Sequence, residues 1–170
     1  MMNKVLVIDT SILCVYLQVP GMGECGPDSD KWDYERVCNK IEDEIKQKSM
    51  LVLPVASLIE TGNHIAQANG DRYTIAQGLS EIIFKTAKAE EPWAAFTIQR
   101  DLWDEDGLLR LGKEWPAFAA QGISIGDATI KDVAEYYSET GCEVEILTGD
   151  AGLKSYQPMR RDIVIPRRRH

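Results

Sequence analysis

The sequence predicts an α/β domain with a central, mostly parallel β-sheet flanked by helices. Three observations carry this expectation. Short β-branched apolar runs, of the kind found in strands buried on both faces, alternate with longer segments of helical period. Two of those runs end abruptly near an aspartate, at Asp9 and at Asp150. The 170 residues, 44% apolar and 27% charged, suit one globular domain over 1–170 with a full hydrophobic core.

Lys4–Ile8 is the first such run, and it stops at Asp9, Thr10 and Ser11. Residues 5–17 have the apolar character of a signal peptide, but Asp9 interrupts them. A carboxylate at the centre of a membrane-inserting segment costs about 2.5–3.5 kcal/mol. A cytoplasmic protein without a membrane partner is therefore expected. Residues 18–33, QVPGMGECGPDSDKWD, are rich in Gly, Pro, Asp and Ser and read as a loop insertion. Loops of this length commonly contact substrate, or else form a mobile surface with Trp32 anchoring the end; both readings stand. Val37, Ile41 and Ile45 mark an amphipathic helix with Glu42 and Lys46 as an exposed i, i+4 pair.

Leu51–Leu53 is a second buried strand, and Pro54 opens a helix from about Val55 to Asn69. Ser57, Glu60 and His64 share one face of it. Asp71 caps a further helix through about Lys88, buried by Ile75, Leu79, Ile82 and Ile83. The Trp-rich segment 90–121 carries Trp93, Trp103 and Trp115 on two short helices broken near Asp106, Gly107 and Pro116. The tryptophans fill the core and a satellite cluster, or form an aromatic surface for a partner or for stacked bases. Asp127 opens a helix to Thr140, stopped by Gly141, and Val144–Leu147 is a strand that runs into Thr148, Gly149 and Asp150. Residues 160–170 are a terminal strand, Ile163–Ile165, within a basic tail.

In an open parallel sheet, ligands bind outside the carboxyl ends of the strands. Asp9 and Asp150 fall there, and Glu60 and Asp127 lie on helices that pack on the same sheet. Each aspartate is also a good helix cap, and a mid-helix glutamate such as Glu60 is ordinarily solvated. Four acids in these positions point instead to a shared crevice. Hard cations take oxygen ligands, so carboxylates from separate elements suit Mg²⁺ or Mn²⁺ and require neither histidine nor cysteine. Ser11 and Thr148, each two residues from a key carboxylate, are expected to fix its rotamer by hydrogen bonding. Mutual repulsion should raise at least one of the carboxylate pKa values in the absence of metal.

Asp9 in VLVIDTSIL, Glu60 in LPVASLIETGNHI, Asp127 in IGDATI and Asp150 in LTGDAGL resemble the four acidic positions of the PIN-domain nucleases. The resemblance spans nearly the whole chain. It implies a three-layer fold and metal-dependent hydrolysis of RNA that leaves a 3′-hydroxyl and a 5′-phosphate. Asp9, Glu60, Asp127 and Asp150 would then be catalytic, with Asp9 and Asp127 as direct metal ligands. Asp150 would bind directly or through water, and Glu60 would orient water or hold a second ion. Many relatives are toxins held inactive by an antitoxin, so an antitoxin or a second copy in a homodimer joins RNA as an expected partner. A stand-alone RNA-processing nuclease would read the same.

The net charge of −8 is uneven. Through Met159 there are 14 basic and 26 acidic residues; beyond it there are five arginines and one aspartate. Arg160, Arg161, Arg167, Arg168 and Arg169 are candidates to hold phosphates, the alternative being a solvated end. The four cysteines lack metal-ligand spacing and read as reduced thiols. Two binding modules compete with the enzyme reading. One is a PIN fold without catalysis. The other is a von Willebrand A-like metal-dependent module, whose Asp-x-Ser-x-Ser motif Asp9 and Ser11 fit and Leu13 breaks.

Overall fold

The computed structural model describes residues 4–159. Strands β1 (Lys4–Ile8), β4 (Met50–Val52) and β5 (Glu143–Leu147) form one parallel sheet in the order β4-β1-β5. Val5 pairs with Met50 on one side and with Val144 on the other. Side chains alternate across the sheet, as strand geometry requires. Leu6, Ile8, Leu51, Leu53 and Leu147 enter a core shared with α1 (Thr10–Tyr16), α2 (Tyr34–Lys46), α3 (Val55–Gln67) and α4 (Arg72–Lys88). Val5, Val7, Val52, Val144 and Ile146 enter a second core with Ile130, Val133, Ala134 and Tyr137 of α6 (Ile125–Glu139). Both faces of the sheet are thus covered, and its strands are apolar apart from Lys4, Glu143 and Glu145. Among the described residues, no helix is long and apolar enough to cross a membrane.

Several elements differ from the sequence expectation. Residues 18–33 hold regular structure, a two-stranded antiparallel ribbon of β2 (Glu24–Cys25) and β3 (Trp32–Asp33) around a 3-10 turn (Asp28–Asp30). Trp32 is buried, and the Arg36 guanidinium lies 3.8 Å from the centre of its ring. Lys46 pairs with Asp43 rather than with Glu42. Segment 90–121 is not two short helices broken at Gly107 and Pro116. A 3-10 helix (Phe96–Leu102) precedes α5 (Glu105–Ala119), which Asp104 caps and which runs on through Pro116. Trp93 lies beside β4, where Leu51 N–H donates to Pro92 and Ala94 N–H donates to Leu51, both at 2.9 Å. Buried Gln99 donates to the Leu53 carbonyl at 2.8 Å and ties the 3-10 helix to the end of that strand. Helix α6 begins at Ile125, capped by Ser124, so Asp127 lies in the first turn and does not open it. The expected strand Ile163–Ile165 and the basic tail lie outside the described residues.

At the amino end of the sheet, a compact charge network closes the structure. Lys4 Nζ and Lys40 Nζ both contact Glu145, at 2.7 and 2.9 Å, and both contact Glu44. Ser49 Oγ donates to Glu44 at 2.6 Å, and the glutamate is 4% exposed. Burial alone would raise the Glu44 pKa, but hydrogen bonds from Lys4, Lys40 and Ser49 outweigh it and bring the value down to about 2. The acids of interest stand at the other end of the strands.

Candidate active site

Asp9 follows the last residue of β1 and is 6% exposed. Its backbone N–H donates to Leu147 O at 3.0 Å, which extends the β1–β5 ladder by one residue. Its Oδ2 accepts from Ser11 Oγ and Thr148 Oγ1, both at 2.7 Å, and from the Ser11 N–H at 3.4 Å. Asp9 therefore caps α1, and all three bonds go to one oxygen. Oδ1 takes no hydrogen bond from the described residues, so its acceptor capacity is intact.

Both hydroxyls singled out by the sequence converge on Asp9. Thr148 stands two residues before Asp150, yet its proton goes to Asp9, while its oxygen accepts the Asp150 N–H at 2.9 Å. Ser11 Oγ in turn accepts the Gly149 N–H at 3.0 Å. The turns after β1 and β5 are thereby fastened to each other through two hydroxyls. Asp150 is exposed and caps the short helix α7 (Ala151–Lys154), its Oδ1 accepting the Leu153 N–H at 3.0 Å.

Glu60 is half-buried rather than solvated, because α3 turns it towards the sheet end. Thr10 Oγ1 donates to its Oε2 at 2.8 Å. One turn earlier, Ser57 Oγ donates to the Ile8 carbonyl at 2.8 Å and pins α3 to the end of β1. Gly126 of α6 lies against the Glu60 carboxylate so closely that a Cβ there would overlap Oε1. His64, one turn beyond Glu60, is exposed.

Asp127 completes the set on the first turn of α6, its N–H donating to Ser124 Oγ at 3.0 Å. Burial and then the charges of Asp9, Asp150 and Glu60 hold its carboxyl above the usual aspartate range, while a hydrogen bond with Ser124 pulls the other way. The four acids thus share one electrostatic neighbourhood. A cleft of about 310 Å³ lies between Asp127 and Asp150, walled also by Ile123, Leu153 and Tyr156.

The chemistry of this donor set fits a hard divalent cation. It consists of carboxylates alone, burial and then the neighbouring charges raise the proton affinity of Asp127, and an ion would relieve the part due to charge. With the side chains as they stand, no group of three or more His, Cys, Asp or Glu among the described residues surrounds a single ion position.

Four contributors escape a sequence reading. Thr10 aligns Glu60, and Gly126 makes room for it. Gly149 passes so near the ribbon that a Cβ would overlap Cys25 Sγ and crowd the Gly26 nitrogen. Cys25 therefore borders the acids: burial raises its thiol pKa, a hydrogen bond with Ser11 opposes the rise, and the charge of Asp9 adds to it. For Thr10, Gly149 and Cys25 the partners come from distant parts of the chain and no local pattern reveals them. The start of α6, expected at Asp127, has a local signal that points to Ser124, which precedes Asp127 by three residues as in a capping box. No family model matches this chain, and comparison with curated proteins and with solved structures gives no match.

Proposed function

We propose that this protein is a Mg²⁺- or Mn²⁺-dependent ribonuclease that hydrolyses phosphodiester bonds at Asp9, Glu60, Asp127 and Asp150. The observation that carries the reading is that Asp9, Glu60 and Asp150, from three separate elements near the carboxyl end of a parallel sheet, all lie within electrostatic reach of Asp127, whose pKa burial and then their charges raise. Asp9 Oδ1 and the Asp127 carboxylate would hold the ion, and Asp150 would hold it directly or through water. Such an ion, when bound, supplies Lewis-acid activation of water and neutralises charge on the scissile phosphate.

The chain's own groups supply orientation and proton handling. Ser11 and Thr148 fix Asp9 through Oδ2, so Oδ1 keeps one direction. Thr10 holds Glu60 by Oε2, which leaves Oε1 to accept the proton of the attacking water. Water adds to phosphorus, the bond to the 3′ oxygen breaks, and that oxygen takes up a proton, giving a 3′-hydroxyl and a 5′-phosphate. Asp127 must lose its proton before it binds an ion, so ion affinity falls in acid.

The test is cleavage of a total-RNA pool containing tRNA by purified protein with Mn²⁺, with Mg²⁺ and with chelator, beside Asp9→Asn. The expected result is metal-dependent cleavage that the variant loses. Cleavage that survives in Asp9→Asn, or no cleavage under any condition by folded protein, overturns the reading.

A further inference from the structure

A groove of about 700 Å³ runs from Lys40 and Glu145 of the charge network to Trp32, Arg36 and Lys154. Its cations are held in a defined arrangement. Arg36 stacks on the Trp32 ring, donates through NH1 to the Lys31 carbonyl at 2.6 Å and through NH2 to Asp30 Oδ1 at 2.7 Å. Lys154 Nζ meets the other oxygen of the same carboxylate, Oδ2, at 3.3 Å. One small anion, on the 3-10 turn of the ribbon, thus receives a guanidinium from α2 and an ammonium from α7. This is the donor pattern that a phosphate oxyanion accepts. Of the three acidic residues lining the groove, Glu145 is engaged by Lys4 and Lys40 and Asp33 caps α2 through the Arg36 N–H, while Glu35 is exposed.

The groove and the acids share a wall. Lys154 stands four residues after Asp150 on α7, about 6 Å along a helix axis. Cys25, which pairs with Trp32 across the ribbon, lies against Gly149 and Ser11. A polymer bound across Asp150 could continue along α7 towards Lys154. Side-chain exposure of 44% for Arg36, 52% for Lys154 and 40% for Asp30 leaves all three open to exchange.

We propose that Arg36 and Lys154 form a phosphate-binding subsite for single-stranded RNA next to the scissile bond, occupied in the RNA-free protein by the Asp30 carboxylate, which the phosphate displaces. The choice of RNA rests on the ribonuclease reading above. Asp30 keeps the two cations apart from other anions and sets a threshold: only a ligand that outcompetes an internal carboxylate enters.

The experiment uses the full chain in chelator and a fluorescein-labelled 12-nucleotide single-stranded RNA, with binding followed by anisotropy over a range of salt. Arg36→Gln/Lys154→Gln should weaken binding about ten-fold and flatten the salt dependence by about 0.7, the value for one phosphate contact on a single strand. Asp30→Asn should tighten binding several-fold. A double variant with unchanged affinity and salt slope overturns the subsite, as does a wild-type protein that does not bind this RNA. Weaker binding by Asp30→Asn overturns the competitor role. Parallel cleavage assays separate the two proposals. Metal-dependent cleavage with affinity independent of Arg36 and Lys154 sinks only the subsite. Affinity that depends on the pair without any metal-dependent cleavage sinks only the hydrolysis.

Discussion

Gly126→Ala is the most informative single change, because its effect should reverse sign with the residue at position 60. The added Cβ would overlap Glu60 Oε1, and the glutamate, at the end of a flexible side chain, would swing away. Swinging forfeits the 2.8 Å bond from Thr10, a hydrogen bond to a charged acceptor worth about 1.5–3 kcal/mol. Alanine in place of glycine in a helix returns up to about 1 kcal/mol. The expected net loss in the wild-type background is about 0.5–2 kcal/mol. In Glu60→Ala the collision is gone, so the same substitution should stabilise by up to about 1 kcal/mol. The coupling in this double-mutant cycle should then equal the lost bond, about 1.5–3 kcal/mol. Urea unfolding of the four proteins measures it without any assumption about activity. Additivity within about 0.5 kcal/mol would refute the argument that Gly126 exists to admit Glu60.

Two further expectations concern charge. Glu44 has a folded-state pKa of about 2 against an ordinary value of 4.5, so it contributes about 3 kcal/mol that is present above pH 4.5 and lost as pH falls towards 2. Urea midpoints taken from pH 7 to pH 3 should fall in the wild type and stay flatter in Glu44→Gln; parallel curves would exclude Glu44 as the source. Asp127 runs the opposite way. Its raised pKa makes the ionised form a burden on the fold, absent in acid and present once pH rises through the folded-state value. Asp127→Asn should therefore raise the melting temperature in chelator at pH 7, with a difference that shrinks towards pH 4, and should lose any stabilisation by Mn²⁺. A lower melting temperature at pH 7 would contradict that sign.

The parts of the fold that were legible are those whose cause is local. Val5–Ile8 is recognisable because a strand buried on both faces is apolar, Val144–Leu147 because of its Val, Ile and Leu around Glu145, and Gly141 ends α6 at φ +87° as a left-handed stop does. The misread parts depend on contacts across the chain. Residues 18–33 look shapeless, yet Cys25 and Gly26 lie against Gly149, and Gly26 itself leaves no room for a Cβ beside the Asp30 carbonyl. Pro116 should stop a helix, but α5 continues for another turn. The chain after it is held by Ile123 N–H to Phe118 O at 3.0 Å and by the Trp115 indole to Ile123 O at 3.3 Å. Asp9, Asp127 and Asp150 could be chosen because each stands at an element boundary or within one turn of it, whereas Glu60 is mid-helix and rests on the resemblance. Which hydroxyl serves which carboxylate could not, since Thr148 reaches Asp9, 139 residues away in sequence.

The charge network around Lys4 has a practical side. All three strands of the sheet begin at the end where Lys4 is clamped between Glu44 and Glu145, and Asp9, like Asp150, follows at the opposite end. An attachment introduced ahead of Lys4 therefore anchors the molecule by the face remote from the carboxylates. Protein immobilised that way on a sensor surface presents the acids outward, to whatever flows past.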